Sequence, residues 1–337
     1  MKRLTNCYIA LALAAVLFAF SATQAKGRAS IFFSSCSLAP DNRTASLGYN
    51  DGTIKLWDIT TGKLLRIFHG HQKLVGSLVY LPDGKSLMSG GTDGTIRRWD
   101  MASGKELWRT NAQGDKTYPL YLEYGNTIES LALSPDGKSV VAGNHDGVVK
   151  ILDAATGEAI RTFRGYQGAV RHIAYSADGK MILSTAPAKD IGYISLWDAA
   201  TGGEIKRLPD TSTLIYAAFS PDGKMILSGG NKSLRLWDVA TGKLIRTFND
   251  PNYIDSVALS PDGKIALTGA AYMGDGQIKL WDVSTGKIIR RLTGHTDNVV
   301  TLDFSPDSLY VLSVSRDHML IWWNVTTGRI LRKFKID

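Results

Sequence analysis

The sequence predicts an all-β protein, a seven-bladed β-propeller whose blades are four-stranded antiparallel sheets. A Trp-Asp pair, or a close copy of it, recurs about every 40 to 45 residues, which is the length of one propeller blade. Between these pairs, short apolar and β-branched runs alternate with Pro-Asp-Gly, Asp-Gly and Thr-Gly turns, as they do in antiparallel sheets. The seven pairs are Trp57-Asp58, Trp99-Asp100, Leu152-Asp153, Trp197-Asp198, Trp237-Asp238, Trp281-Asp282 and Trp323-Asn324.

Each repeat contains four such runs, which we label strands a, b, c and d in chain order. In blade six, strand a is expected from Ser256, strand b from Ile265 after a Pro-Asp-Gly turn, strand c from Gly276, and strand d after Thr285. Apolar residues beyond residue 30 rarely recur at helical spacing, so no helix is predicted there. One sheet would leave both apolar faces in water, so the blades are expected to stack into a closed ring.

The ring is expected to be a single domain over residues 26–337, because each blade contacts only its neighbours and no large common core is needed. Strand a of blade one is expected near Phe33 to Leu38, and strand d of blade seven over Ile330 to Lys335, so that the ring closes by blade packing without strand exchange. The predicted blades cover approximately residues 30–70, 71–111, 127–165, 168–209, 212–250, 252–293 and 296–336.

These repeats resemble those of the WD40 family over about residues 30 to 336, including Gly-His pairs at Gly70-His71 and Gly294-His295. The resemblance implies a non-catalytic, protein-binding scaffold. It also implies structural tetrads that tie the loop before strand a to strands b and c. Because Leu152 replaces Trp and Asn324 replaces Asp, we expect blades three and seven to depend more on packing than on polar networks. The tetrad residues are His71, Ser89, Asp93 and Trp99, with His295, Ser313, Asp317 and Trp323 as their counterparts.

The Ser, His and Asp of each tetrad also suggest a hydrolase, but no Gly-x-Ser-x-Gly turn surrounds either serine. The sequence has no phosphate-binding loop, no Cys-x-x-Cys pair and no helical His pair for a metal. We therefore predict no enzymatic activity, no cofactor and no metal. The alternative is a secreted hydrolase or a quinoprotein-like oxidoreductase that uses the central mouth, because Ser103 to Trp108 looks like the repeat of quinoprotein propellers. Only blade two has this motif, so we expect Trp108 to be an outer-strand aromatic packed on its neighbour.

Irregular loops indicate where a partner binds. The insert from Asn111 to Thr127 carries Tyr118, Tyr121 and Tyr124, and tyrosines on a connecting loop suit protein contacts. Alternatively, this loop folds onto its own blade. On the same face, formed by the d-to-a and b-to-c loops, the sequence places His145, Arg171 and Arg316. We expect these six residues to contact a protein partner of unknown identity.

The first 25 residues are predicted to be a secretory signal peptide. Lys2 and Arg3 precede an apolar stretch from Tyr8 to Phe20, which is too short to span a bilayer, and small residues lead to Ala25. We expect cleavage after Ala25 and export to the periplasm or the exterior, with no transmembrane segment in the mature chain. The regular turns resemble those of bacterial WD40 proteins.

The formal charge of the chain is +8. Most turn lysines follow an aspartate closely, which predicts a solvated rim with no specific binding of nucleic acid; weak binding of polyanions through these turns is the alternative. Arg66, Arg161, Arg246 and Arg290 lie in predicted outer strands, where charge discourages edge-to-edge pairing. We therefore expect a monomeric ring.

Overall fold

A computed structural model describes residues 33–336 apart from 112–126, 165, 167, 187–191, 211–215, 231 and 272–275. Its regular elements are 28 strands in seven sheets, and each sheet contains four consecutive antiparallel strands. No helix occurs in these described ranges. The predicted all-β propeller of seven four-stranded blades is therefore confirmed.

The strands follow one another as a, b, c and d in every blade. Blades one to three comprise β1 Phe33–Leu38, β2 Thr44–Tyr49, β3 Ile54–Asp58, β4 Lys63–Phe68, β5 Val75–Tyr80, β6 Ser86–Gly91, β7 Thr95–Asp100, β8 Glu106–Asn111, β9 Ile128–Leu133, β10 Ser139–Asn144, β11 Val148–Asp153 and β12 Ala159–Arg164. Blades four and five comprise β13 His172–Tyr175, β14 Met181–Ala186, β15 Gly192–Asp198, β16 Glu204–Asp210, β17 Tyr216–Phe219, β18 Met225–Gly230, β19 Ser233–Asp238 and β20 Leu244–Asn249. Blades six and seven comprise β21 Tyr253–Leu259, β22 Ile265–Ala271, β23 Ile278–Asp282, β24 Ile288–Leu292, β25 Val299–Phe304, β26 Tyr310–Ser315, β27 Met319–Asn324 and β28 Ile330–Lys335.

The turns between strands a and b are built by local side-chain capping. In blade three, Asp136 Oδ1 accepts hydrogen bonds from Ser134 Oγ at 2.6 Å and from the Lys138 amide at 3.0 Å. Gly137 then adopts a left-handed backbone with φ of 70°. Blade seven places Ser308 in this conformation, with φ of 61°. The aspartates of these turns are thus part of the backbone scaffold.

The hydrophobic core is divided into clusters between neighbouring blades. One of them joins Leu267 and Leu280 of blade six to Val311 and Trp323 of blade seven. Burial of apolar side chains against the next blade stabilises each sheet by about 25 cal/mol per Å² of area removed from water. The ring is therefore held by sheet-to-sheet packing.

Within the described residues, blade seven packs directly against blade one. In the described residues, β1 pairs with β2 and β28 pairs with β27. The Leu38 amide of blade one donates a hydrogen bond of 3.1 Å to Asp303 Oδ2 of blade seven. Leu47 and Trp57 pack in one cluster with Leu312 and Trp322 across the same seam. Strands β1 and β28 therefore have the expected bounds, while residues 26–32, on which the expectation of closure without strand exchange depends, lie outside the described residues.

A cation in most outer strands reaches the turn between strands c and d of the next blade. Arg66 donates to the carbonyls of Ala102 and Ser103 at 2.8 and 2.9 Å, and Arg290 donates to those of Thr326 and Thr327 at 2.9 and 3.2 Å. Besides any effect on edge pairing, these side chains bridge neighbouring blades. The equivalent bridges start from Arg161, Lys206, Arg246 and Arg332.

Trp108 of blade two occupies the position in strand d that a bridging cation occupies in the other blades. It pairs with Arg98 of strand c, just as Arg66 pairs with Leu56 in blade one. Its Nε1 donates to the Ala154 carbonyl of blade three at 3.3 Å. Its ring lies against Gly157, where an added Cβ would come within 2.7 Å of it. Trp108 is therefore an outer-strand aromatic packed on its neighbour.

Strand β24 contains a bridging arginine, Arg290, beside an arginine that bonds within its own blade, Arg291, so the two can be compared by substitution. We expect Arg290→Ala to lower the free energy of unfolding by about 1 to 2 kcal/mol, because two hydrogen bonds to blade seven are lost. Arg291 bonds only to Gln277 Oε1 of its own blade, at 2.8 Å, so Arg291→Ala should change stability by less than about 0.5 kcal/mol. Urea denaturation of both variants measures this difference, and equal losses would contradict the bridging role.

Candidate partner-binding face

The structure brings His71, Ser89, Asp93 and Trp99 together beneath one face of blade two. His71 Nδ1 lies 3.0 Å from both carboxylate oxygens of Asp93, and His71 Nε2 lies 2.7 Å from Ser89 Oγ. Trp99 Nε1 donates to the same Ser89 Oγ at 2.8 Å. The four side chains thus connect the loop before strand a with strands b and c.

Blade seven repeats this arrangement with His295, Ser313, Asp317 and Trp323. His295 Nε2 and Trp323 Nε1 both lie 2.7 Å from Ser313 Oγ. Burial is the main cause that lowers the pKa of His295, and the adjacent Asp317 opposes it. Asn324 does not weaken this network, because it caps the next turn by accepting the Thr327 amide at 2.7 Å. The expectation that blade seven would depend less on a polar network is therefore wrong.

The geometry of these tetrads resembles a Ser-His-Asp hydrolase site, but the hydroxyls are inaccessible. Ser89 and Ser313 are both 0% exposed. Each hydroxyl oxygen also accepts a tryptophan N–H, which occupies one of its lone pairs. A nucleophile must reach its substrate, so these serines are placed for structure.

The carboxylates of the tetrads are held ionised. Burial alone would raise the pKa of Asp93, but the hydrogen bond and charge of His71 and the Gln72 amide outweigh it and hold the pKa well below its usual range. Asp317 has a lowered pKa for the same reason, since the Thr296 amide and His295 oppose its burial. Stability from these groups is therefore present near neutral pH and falls in acid.

Blades four and six keep a polar network with different residues, and in blade five Trp237 Nε1 donates to Ser228 Oγ at 2.9 Å. In blade four the Tyr166 hydroxyl lies 3.0 Å from Ser184 Oγ, which also accepts the Trp197 N–H at 2.8 Å. Tyr166 follows Gly165 as His71 follows Gly70, so a Gly-Tyr pair at that register was the signal that the sequence offered.

In blade six, Asp250 takes the corresponding role. It forms an ion pair with Lys279, and the two side chains are only 3% and 2% exposed. Asp250 Oδ2 accepts Thr268 Oγ1 at 3.2 Å, and Thr268 Oγ1 accepts the Trp281 N–H at 3.0 Å. Sequence reasoning missed this network because no Gly-His pair marks it.

Blades one and three have apolar side chains in the corresponding region. Leu152 and Ala142 of blade three are buried, as expected for a blade that depends on packing. In blade one, Leu47 is 0% exposed, and the buried Trp57 Nε1 has no hydrogen-bond partner among the described residues. Trp57 packs instead against Phe334 of blade seven, with a centroid separation of 6.3 Å.

The face formed by the d-to-a and b-to-c loops carries a cluster that joins blades three and four. Glu129 Oε1 accepts His145 Nδ1 at 2.9 Å, and Glu129 Oε2 accepts Arg171 Nη1 at 3.1 Å. The exposed fractions of the His145 and Arg171 side chains are 31% and 24%. Although burial raises the pKa of Glu129, its bonds to His145 and Arg171 give a net lowering.

Of the other predicted contact residues, the structure describes only Arg316. Arg316 is exposed on blade seven, away from the Glu129 cluster. Tyr118, Tyr121 and Tyr124 lie outside the described residues. Sequence reasoning missed Tyr253, which is 47% exposed at the start of strand a in blade six, with the Lys232 ammonium 4.6 Å from its ring centroid. An exposed aromatic residue at a strand start is the signal that could have indicated it.

The inner strands place Asp303 at the seam between blades seven and one. Burial raises its pKa to about 6, although the Leu38 and Phe304 amides oppose the rise. Ala132, Ala174, Ala218 and Ala258 hold the equivalent register of four other blades.

Within the described ranges, no group of three or more His, Cys, Asp or Glu side chains could bind a metal ion. In the same ranges there is also no helix with the length and hydropathy needed to span a membrane.

Comparison with known proteins gives seven matches to the family described as WD domain, G-beta repeat. The matched residues are 25–58, 62–100, 119–153, 157–198, 204–238, 242–282 and 286–324. Each match ends at the Trp-Asp position, so most run from strand d of one blade to strand c of the next.

Three curated relatives are similar to parts of the chain. Cell division cycle 20.1, cofactor of APC complex, of Arabidopsis thaliana is 25% identical over 86% of this chain and 54% of its own length. The guanine nucleotide-binding protein subunit beta of Oryza sativa is 25% identical over 59% of the chain and 42% of its own length. Nuclear distribution protein PAC1 of Arthroderma otae is 28% identical over 45% of the chain and 32% of its own length.

The chain thus spans about half, or less, of the length of these relatives. The seven family matches cover most of the chain, and their number equals that of the seven sheets. The chain belongs to the WD domain, G-beta repeat family.

Proposed function

We propose that this protein is a non-catalytic scaffold that presents the face formed by its d-to-a and b-to-c loops to a protein partner. The observation that carries this proposal is that the blades share their turns but differ on this face. There the Glu129 cluster, the Tyr253–Lys232 pair and Arg316 occupy separate blades. Aromatic and arginine side chains on a rigid frame are typical centres of binding energy in protein interfaces.

The relatives support a role in assemblies. Two of them are named as a subunit of a guanine nucleotide-binding protein and as a cofactor of a complex. Members of this family are generally non-enzymatic scaffolds, and the buried Ser89 and Ser313 offer no support for the hydrolase alternative. Trp108 offers none for a quinoprotein, since its contacts are those of a packing residue.

The turns on the opposite face do not favour nucleic acid as the partner. Between strands a and b of the seven blades, six Lys or Arg residues stand beside seven Asp residues. A balanced surface lacks the cationic excess that phosphate binding requires. We accordingly propose a monomeric ring with a protein partner and no specific nucleic acid.

Capture from native extracts tests this function. We expect the parent chain to retain a partner that is lost on Arg171→Ala combined with Tyr253→Ala. In a second variant, Tyr118, Tyr121 and Tyr124 are all changed to alanine. The control changes Lys138 and Lys180, on the opposite face, to alanine. Equal capture by the parent and both face variants would contradict the proposed face, provided that each variant melts at the parent temperature.

We also propose that the chain is exported, with residues 1–25 as its signal peptide. The support is the sequence pattern of Lys2 and Arg3 followed by the apolar stretch from Tyr8 to Phe20. Mass spectrometry of the protein from its native source should find a mature amino terminus at Lys26. Recovery of intact Met1 in a soluble intracellular fraction would contradict export.

A further inference from the structure

The positive charge of this protein is concentrated in its outer strands. The seven strands d hold thirteen Lys and Arg residues against three Asp and Glu residues. The formal charge of the whole chain is only +8, so the remaining residues are together slightly negative. The excess of positive charge is therefore located on the rim of the ring.

The rim is also asymmetric. All three acidic residues lie in β8 and β16, where Glu106 pairs with Arg97 at 2.6 Å and Glu204 pairs with Arg207 at 2.6 Å. The strands β24, β28 and β4 belong to the consecutive blades six, seven and one and contain no acidic residue. We call these three strands the cationic arc.

Cations of the arc bind neutral acceptors. Arg66, Arg290 and Arg332 donate to backbone carbonyls of neighbouring blades. Arg291 donates to Gln277 Oε1 at 2.8 Å, and Lys333 donates to the Gly294 carbonyl at 2.7 Å. Such hydrogen bonds fix the side chains but do not neutralise them, so the arc keeps its positive field.

Exposed aliphatic side chains lie among these cations. Six of them in the arc have exposed fractions between 37% and 51%. Similar aliphatic side chains are exposed in the other outer strands, but in the arc they lie among seven cations and no acidic residue, which suits an interaction surface. The six are Leu64, Leu65, Ile67, Ile289, Ile330 and Leu331.

We propose that the cationic arc docks the propeller edge-on to an anionic lipid bilayer. Lys and Arg near an anionic surface are attracted to it, and Leu and Ile among them can enter the headgroup boundary. An exposed, convex rim suits a flat surface. This surface is distinct from the proposed partner-binding face, so both could be occupied together.

Vesicle co-sedimentation of the full chain tests this proposal. We expect the chain to bind phosphatidylcholine vesicles that contain phosphatidylglycerol, and expect the binding to weaken with added salt. Arg291→Glu combined with Lys333→Glu should reduce the vesicle partition coefficient by about tenfold or more, because four units of charge change on the arc. Neither Arg291 nor Lys333 bridges to a turn between strands c and d, so this double variant should fold. Matched melting temperatures check this.

The control is Arg109→Glu combined with Arg164→Glu, which makes the same change in net charge on blades two and three. It should bind nearly as well as the parent. Ile289→Ser with Leu331→Ser should weaken binding even at low salt if the aliphatic side chains enter the bilayer. Equal losses in the two charge-reversed variants, equal binding to pure phosphatidylcholine, or binding to soluble heparin without binding to vesicles would each overturn the proposal.

Discussion

Replacing Asp250 by alanine is expected to lower the free energy of unfolding by about 3 to 5 kcal/mol, because it leaves the Lys279 ammonium buried without its counter-charge. The Lys279 side chain is only 2% exposed, so water cannot replace the lost carboxylate without an opening of the blade. Thr268 also loses an acceptor, and it orients the Trp281 N–H. Urea denaturation followed by tryptophan fluorescence measures the loss.

The double variant Asp250→Ala with Lys279→Met separates the ion pair from the general effect of a core substitution. Methionine removes the unpaired charge and fills a similar volume, so much of the lost stability should return. Asp297→Ala, at an exposed residue of the next blade, is the surface control and should change stability by less than about 0.5 kcal/mol. A double variant no more stable than Asp250→Ala would show that the buried charge is not the cause.

Replacing Asp303 by asparagine is expected to stabilise the protein at neutral and alkaline pH. In the folded state, burial raises the pKa of Asp303 to about 6, above its ordinary value of 3.8. Ionisation therefore opposes folding once the pH exceeds 3.8, and the full cost is reached above about 6. With about two pKa units between the states, the gain from Asp303→Asn at pH 8 should be about 2 to 3 kcal/mol.

The same variant should lose most of its advantage in acid, to about 1 kcal/mol near pH 4.5, because Asp303 is then largely protonated in the folded state. Asparagine retains an oxygen that accepts the Leu38 amide, so the seam between blades seven and one keeps its hydrogen bond. Cys36 and Tyr216 also interact with the charge of Asp303. Burial is the main cause that raises the pKa of both groups, and the charge of Asp303 raises it further. A stability difference that does not change with pH would contradict this account.

The turns account for how much of the fold could be predicted from the sequence. Pro-Asp-Gly and Thr-Gly each specify a chain reversal within four residues. Asp136 and Asn324 each cap their own turn by accepting a backbone amide two or three residues later. Strand boundaries follow from these turns. For this reason the first and last strands, Phe33–Leu38 and Ile330–Lys335, have the bounds expected from the sequence.

The candidate site was predicted less completely. Two tetrads were visible because His71 and His295 keep the Gly-His pair, whereas Tyr166 and the Asp250–Lys279 pair carry different side chains at the same structural position. Asp250 and Lys279 are 29 positions apart, and no short-range pattern relates them. Likewise, His145 and Arg171 were predicted as separate contact residues, and only the packing of blade three on blade four shows that Glu129 joins them.

The sequence by itself determined the number of blades, their strands and the family, because these depend on turns and alternation that act within a few residues. Only the tertiary structure decided which polar groups meet inside a blade, which cations bridge to the next turn, and that the positive charge lies on the rim. These features depend on the register of one blade against its neighbour. That register is set by the packing of side chains distant in sequence, and no local pattern encodes it.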